Sequence, residues 1–277
     1  MIDSWKIRAE ETDYASVYLE KGKTYKLVAE YFDNDGEAIA KLAWRTPSTD
    51  SESLLDAYGD AGEIIRGSDL TIAVLGIDRT IEREGQDRST IELPEDQQIF
   101  IEEAYKANPN TVVVLVAGSS LAINWIDQNI PAVLDAWYPG EQGGTAVAEA
   151  LFGDYNPGGR LPLTFYNSLS DLPAFDDYNV RNNRTYMYFE GKPLYPFGYG
   201  LSYTDFAYRG LDITQDEENV TVKFFVSNTG NYDGDEVAQV YIQFPDQGTI
   251  LPLKQLKGFK RVHISKGQET EITVRIP

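Results

Sequence analysis

The ionisable side chains best placed to do chemistry cluster in one stretch, residues 76–88, which holds four carboxylates and three arginines. A carboxyl group serves as a general acid or base when its surroundings raise its pKa. The neighbouring arginines instead favour the ionised form, so composition by itself favours a salt-bridged, solvated loop. Gly85 directly follows Glu84 and lets a ligand approach the backbone closely, which favours the catalytic interpretation.

The remaining composition excludes most alternatives to carboxylate chemistry. The chain contains no cysteine and a single histidine, His263. Without cysteine there are no disulfides, thiolate nucleophiles or cysteine-ligated zinc, and one histidine argues against a Ser-His-Asp triad. His263 lies between two apolar residues of a predicted strand, where we expect a structural role. No metal or other cofactor is expected.

Nucleic acid and membranes are not expected as partners. The formal net charge of −20 repels phosphate backbones. No run of residues approaches the 18 or more apolar residues of a membrane-spanning helix, and residues 1–6 lack the layout of a signal peptide. The sequence therefore predicts a soluble protein whose catalytic groups are carboxylates.

The carboxylate-rich stretch follows the first of three predicted buried strands. These strands are apolar almost throughout, which is typical of a parallel sheet covered on both faces. Segments with helical spacing flank and separate them. The alternation predicts an α/β fold with a mostly parallel sheet sandwiched by helices. The predicted strands are residues 70–75, 111–116 and 132–137, and the predicted helices are residues 51–66, 94–107 and 143–152.

Ligands of such sheets bind at the carboxyl ends of the strands. Trp137 and Tyr138 lie at the end of the third strand and offer flat apolar faces on which a sugar ring could stack. Packing into the core explains these two side chains equally well. No Gly-x-Gly-x-x-Gly run or phosphate-loop lysine is present, which argues against nucleotide binding.

Strand-like patterns also occur at both ends of the chain. Alternation of apolar and polar residues from Phe206 onward predicts a small antiparallel β-sandwich, with strands including residues 220–226, 237–244 and 269–276. Short strands are also predicted over residues 16–20, 25–32 and 38–44. The expected domains are a short β-rich segment over 1–48, an α/β domain over 49–204 and a β-sandwich over 205–277.

Several long motifs resemble those of glycoside hydrolase family 3. They cover about residues 52–277 in the family's order. Residues 205–277 are similar to the fibronectin type III-like module of that family, and the resemblance implies that this copy of the module is truncated. Residues 1–48 resemble the end of a protective-antigen-like β-sandwich that some members carry as an insertion. The motifs are Glu84-Gly85-Gln86-Asp87-Arg88, Ile91-Glu92-Leu93-Pro94, Trp137-Tyr138-Pro139-Gly140, residues 151–162 and residues 193–203.

The resemblance implies a retaining β-glycosidase, of the β-glucosidase or β-xylosidase type, with two carboxyl groups about 5–5.5 Å apart. The acid/base of the family matches Glu84. Glu82 is the alternative, because an extended loop would direct both side chains to the same side. Asp87 and Arg88 would brace the loop through charge-assisted hydrogen bonds.

The nucleophile of the family is an aspartate on an N-terminal (β/α)₈ barrel, which needs about 250 residues. No repeated βα units precede residue 49, so the implied partners are that barrel and a β-linked glycoside or oligosaccharide. Without the nucleophile this chain alone should give essentially no turnover. The alternative is a carbohydrate-binding or structural fragment. For the parent enzyme the resemblance implies a periplasmic or secreted location.

Overall fold

The structure is a computed structural model that describes residues 17–20, 22–30, 55, 60–245 and 250–277. The chain divides into two compact units, residues 1–52 and 53–277. Residues 17–20 and 22–30 of the first unit form no strand, which corrects the strands predicted there. Their side chains are exposed throughout, so they lack the buried face that stabilises strand pairing. The strand predicted over 38–44 lies outside the described residues.

A parallel sheet of three strands organises the first half of the second unit, with strand order β1-β2-β3. The ladder pairs Thr71 with Thr111 at one end and Gly76 with Val116 at the other, so the carboxyl ends of the strands meet at one edge. This confirms the predicted sheet, with strand ends shifted by one or two residues. The strands are β1 (Thr71–Gly76), β2 (Thr111–Val116) and β3 (Ala132–Asp135).

Helices alternate with these strands, as the pattern predicted. Acidic residues in the first turn of the second helix, after Pro94, favour its start there. The part of the predicted helix 51–66 that precedes Asp60 lies almost wholly outside the described residues. The helices are α1 (Ala61–Gly67), α2 (Glu95–Ala107), α3 (Asn124–Asn129), α4 (Gly143–Phe152) and the single turn α5 (Thr185–Tyr188).

The core of this domain lies between the sheet and the helices that connect its strands. Ile101 of α2 and Ile126 of α3 pack with Val113 of β2, and all three side chains are fully buried. Burial of each such side chain contributes about 1.5–3 kcal/mol. This core fixes the sheet from which the site loops emerge.

The fibronectin-like half is antiparallel, as predicted. Its two sheets have strand orders β4-β5-β8 and β6-β7. Val226 and Ile272 are fully buried between them with Ala238, because alternate residues of each strand face inward. The strands are β4 (Phe206–Gln215), β5 (Val220–Asn228), β6 (Gly234–Ile242), β7 (Gln255–Ile264) and β8 (Glu269–Ile276).

Polar contacts join this module to the α/β domain. Arg160 forms a largely buried ion pair with Glu236 of β6, and the side-chain amide of Gln239 donates to the carbonyl of Gly198 over 3.0 Å. The hydroxyl of Tyr155 in the α/β domain accepts from Nη2 of Arg261 in β7 over 2.9 Å. His263 contributes within the module, where its Nδ1 lies 2.8 Å from Oδ1 of Asp235. The two halves of the second unit are therefore held together by specific side-chain contacts.

Candidate active site

Glu84 stands at the tip of a tight turn in the loop that follows β1. The amide of Arg83 donates to the carbonyl of Gln86 over 3.1 Å, and the amide of Gln86 donates to the carbonyl of Arg83 over 2.9 Å. Gly85 has φ +75°, the left-handed conformation that a type II turn requires at this position. The Glu84 side chain is exposed and forms no hydrogen bond or ion pair with another described residue.

The alternative carboxylate, Glu82, is instead part of a partly buried cluster. Its Oε2 lies 2.6 Å from Nε of Arg88 and accepts a hydrogen bond of 2.7 Å from Oγ of Ser119. Nη2 of Arg88 also donates to Ser119 Oγ and to the carbonyl of Ser120, over 2.9 and 3.0 Å. Glu82 is thus paired with the guanidinium of Arg88, whereas the Glu84 carboxylate has no hydrogen-bond or ion-pair partner among the described residues.

A second set of hydrogen bonds shapes the chain before the turn. Oδ1 of Asp78 accepts from both the amide and the hydroxyl of Thr80, over 2.8 and 2.6 Å, and these bonds lower the pKa of Asp78. The side-chain amide of Gln86 donates to the carbonyl of Thr80 over 3.0 Å. Asp78 is therefore a structural carboxylate of this loop. No described residue pairs with the carboxylate of Asp87, so of the two expected bracing residues only Arg88 is seen to brace.

The start of the loop is fixed by Gln97 of α2. Its side-chain amide accepts from the Gly76 amide and donates to the Gly76 carbonyl, both over 2.8 Å. Gly76 has φ +149°, and a Cβ built there would lie 1.9 Å from the carbonyl oxygen of Val116. Only glycine fits this close approach of the two strands. This contact joins residues 21 positions apart and has no local signature in the sequence.

The two aromatic candidates differ in their surroundings. Trp137 is half-buried, with its ring edge-on to Phe165 at 6.2 Å between centroids. It adopts φ +53°, uncommon for a bulky residue. Tyr138 is 53% exposed, and its ring lies where a side chain on Gly118 would collide. Of these two candidates, Tyr138 has the more exposed ring.

Asp135, at the end of β3, is a site-edge residue that the sequence reasoning missed. Burial raises its pKa to about 6, and the hydrogen bond from the Trp137 amide opposes that rise. The signal for it was a single carboxylate inside an apolar strand. Asp135 can therefore hold a proton closer to neutral pH than an exposed carboxylate does.

The loops that follow the three strands meet at this edge of the sheet. Ser119 after β2 binds both Glu82 and Arg88, and the hydroxyl of Tyr138 after β3 lies 3.4 Å from the carbonyl of Ile77 after β1. An open cavity of about 280 Å³ adjoins the ends of β1 and β2 and is lined by residues that include Asp78 and Thr80. The same edge of the sheet therefore carries the Glu84 turn, the exposed ring of Tyr138 and, at the ends of β1 and β2, this cavity.

Within the described parts of the chain, no three histidine, aspartate or glutamate side chains come together in a way that could hold a metal ion. None of the helices described there is long and apolar enough to cross a membrane.

Comparisons with known proteins agree with the observed architecture. The chain matches the family model of the glycosyl hydrolase family 3 C-terminal domain over residues 7–203. It matches the fibronectin type III-like domain model over residues 236–277. The first match covers most of the chain and includes the whole loop that carries Glu82 and Glu84.

Several named proteins are similar in sequence. A xylan 1,4-beta-xylosidase of Xylanibacter ruminicola is 38% identical over 223 residues, which are 79% of this chain and 24% of the relative. A periplasmic beta-glucosidase of Salmonella typhimurium is 34% identical over 260 residues, 88% of this chain and 33% of the relative. The chain thus spans about a quarter to a third of the length of these relatives.

The fold is also similar to that of solved structures. A beta-glucosidase from Kluyveromyces marxianus, crystallised in complex with glucose, superposes with a TM-score of 0.74 at 33% identity. The match covers 78% of this chain and 28% of that one. A beta-glucosidase from Bifidobacterium adolescentis superposes with a TM-score of 0.73 at 29% identity, over 83% of this chain and 36% of that chain.

Proposed function

This chain belongs to glycosyl hydrolase family 3, and on that premise we propose that it supplies the acid/base carboxylate, Glu84, of a retaining β-glycosidase. The substrate class is a terminal β-linked glucoside or xyloside. The observation that carries the proposal is the contrast between Glu84, exposed and unpaired among the described residues, and Glu82, held by Arg88 and Ser119.

Glu82 and Glu84 differ in how well their surroundings suit an acid/base group. An acid/base group must release its proton to the leaving oxygen and then take one from the attacking water. The Glu82 carboxylate is already engaged by the Arg88 guanidinium, whose Nε lies 2.6 Å from Oε2. Glu84 has no such partner among the described residues. Its carboxylate is therefore open to a glycosidic oxygen and to a second carboxylate about 5–5.5 Å away, the separation that retention requires.

The proposed reaction uses a nucleophile from outside this chain. An aspartate on a barrel domain would attack the anomeric carbon while Glu84 donates its proton to the departing glycosidic oxygen. The carboxylate of Glu84 would then remove a proton from water, which displaces the enzyme carboxylate and restores it. The chain covers only 24–33% of the two relatives described above, which supports a partner domain for the rest of the machinery.

Tyr138 is the proposed sugar platform at this site. Its ring is 53% exposed and stands at the same edge as the Glu84 turn, so a pyranose ring can stack on its apolar face. Trp137 is proposed to stabilise the end of β3 and not to bind sugar, because its ring already packs against Phe165.

The proposed location of the parent enzyme is outside the cytoplasm. Support for this comes from the relative named as periplasmic.

The test compares the chain alone with the chain supplied with the part of a relative that it does not span. Aryl β-glucosides and aryl β-xylosides are the substrates. We expect no turnover by the chain alone, turnover in the complemented mixture, and loss of that turnover in Glu84→Gln. Turnover by the chain alone that Glu84→Gln abolishes would show that the nucleophile lies within these residues.

If the complemented activity survives Glu84→Gln, the acid/base assignment is wrong. If the chain binds oligosaccharides in titration calorimetry but never supports turnover in the mixture, the carbohydrate-binding alternative replaces the catalytic one. Asp69→Asn, which removes a carboxylate from an exposed position before β1, is the matched control and should leave turnover unchanged.

A further inference from the structure

The turn that carries Glu84 is closed at its base by a single ion pair. Glu82 precedes the turn, Arg88 follows it, and Arg88 Nε lies 2.6 Å from Glu82 Oε2. The Arg88 side chain is only 10% exposed, so the two ends of the turn cannot separate without leaving a buried charge unpaired. Within the turn, two backbone hydrogen bonds join Arg83 and Gln86 at an exposed surface, where water competes with them.

Ser119 fixes this base to the sheet. Its hydroxyl donates to Glu82 over 2.7 Å and accepts from Arg88 Nη2 over 2.9 Å, while the carbonyl of Ser120 accepts from the same Nη2 over 3.0 Å. Ser119 follows strand β2, most of whose residues are buried. The base of the turn is therefore held against the sheet as well as closed by its own ion pair.

We infer that Glu82, Arg88 and Ser119 are positioning residues that hold Glu84 in place for proton transfer. This inference rests on the proposed function. A carboxylate on an unrestrained surface turn samples many orientations, and general acid catalysis demands hydrogen-bond distance to one oxygen atom. The cluster restricts those orientations before substrate binds, so less ordering remains for the transition state.

Ser119→Ala is the mildest substitution that tests this role. Ser119→Ala removes one hydroxyl but leaves the Arg88–Glu82 ion pair in place. Glu82→Gln would leave Arg88 with neutral partners only, and its Nη1 is already buried without a hydrogen-bond partner among the described residues. Ser119→Ala is therefore the variant expected to fold normally, and Glu82→Gln the stronger perturbation.

The first test measures the mobility of the turn in the chain as it exists. Because the sequence contains no cysteine, Glu84→Cys introduces a single thiol, and a nitroxide attached there reports local motion by electron paramagnetic resonance. Adding Ser119→Ala or Glu82→Gln should shorten the rotational correlation time of the label by about twofold or more, while circular dichroism stays unchanged for Ser119→Ala.

The chain offers a matched control in the fibronectin-like module. There Ser227 Oγ donates to Glu269 Oε2 over 2.6 Å, and Arg209 pairs with the same carboxylate. Ser227→Ala removes the same kind of hydrogen bond far from the turn, and the label at position 84 should not respond. A label whose mobility is unchanged in both Ser119→Ala and Glu82→Gln overturns the inference.

The second test uses leaving groups in the complemented enzyme, with Glu84 intact. Poor leaving groups need protonation as they depart, whereas a dinitrophenolate departs without it. Ser119→Ala should lower kcat/KM, which reports the step in which the leaving group departs, about tenfold for an alkyl or phenyl glycoside, and change it less than twofold for the dinitrophenyl glycoside. An equal loss on both substrates indicates a merely structural role and contradicts the inference.

A failure of the proposed function and a failure of the positioning role give different results. Complemented activity that does not depend on Glu84 refutes the proposed function, whatever the label reports. Activity that depends on Glu84 but has the same leaving-group dependence in Ser119→Ala and in the parent refutes only the positioning role.

Discussion

The carboxyl group of Asp135 should make the stability of the fold depend on pH, and Asp135→Asn isolates that dependence. Burial at the end of β3 raises the pKa of Asp135 from 3.8 to about 6, against the hydrogen bond from the Trp137 amide. The folded state therefore binds this proton more tightly than the unfolded chain does. The stabilisation that results is fully present below about pH 4 and is lost as the pH rises through 6.

The size of the effect follows from the shift. A change of about two pKa units corresponds to at most about 3 kcal/mol. Because the carboxyl is only partly buried, solvent screening reduces this to about 1–2 kcal/mol. Asparagine keeps an oxygen that accepts from the Trp137 amide but does not ionise. The free energy of unfolding of Asp135→Asn, relative to the parent, should rise by about 1–2 kcal/mol between pH 4 and pH 7.

Urea unfolding followed by tryptophan fluorescence, repeated from pH 4 to pH 8, measures that difference. Taking the difference between variants cancels the contributions of all other titrating groups. The matched control is Asp69→Asn, which makes the same substitution at an exposed position. A difference between Asp135→Asn and the parent that stays constant with pH, or falls as pH rises, refutes the reasoning.

Two further substitutions test how the sheet positions the site. Gly76→Ala places a Cβ 1.9 Å from the carbonyl of Val116 and should lower the free energy of unfolding by about 2–4 kcal/mol in urea titration; Gly67→Ala, which meets nothing within 4 Å, should change it little. Ile126→Ala opens a cavity at a fully buried position and should cost about 2–5 kcal/mol. Ile64→Ala, at a 64% exposed side chain, should cost far less; equal losses in the two isoleucine variants would contradict the assigned core.

The sheet was predictable because its strands carry their own signal. Residues 112–116 are apolar throughout, and a short run rich in valine is typical of a strand covered on both faces. Helix α3 was not predicted, since six residues are too few to show a helical period. The strands predicted over 16–20 and 25–32 were wrong for the described residues, because β-prone composition does not supply a pairing partner or a buried face.

The site was predictable only in part. Sequence placed Glu82 and Glu84 in one loop and left the choice between them to a motif, since an extended loop would direct both to the same side. The loop is not extended there: the chain turns back between Arg83 and Gln86. The partner that separates the two carboxylates is Ser119, 37 residues away from Glu82, and such a long-range contact has no local signature.

The role of Glu84 as the acid/base residue is tested most directly by identifying the product that Glu84→Ala forms in the presence of azide. In the complemented enzyme, Glu84→Ala should hydrolyse a dinitrophenyl β-glycoside slowly, because no base activates water against the glycosyl-enzyme. Azide needs no such base, so its addition should restore turnover and yield the β-glycosyl azide. Restored turnover with this product supports Glu84 as the acid/base of a retaining enzyme. Turnover at the parent rate without azide, or a glycosyl azide formed by Glu82→Ala and not by Glu84→Ala, contradicts it.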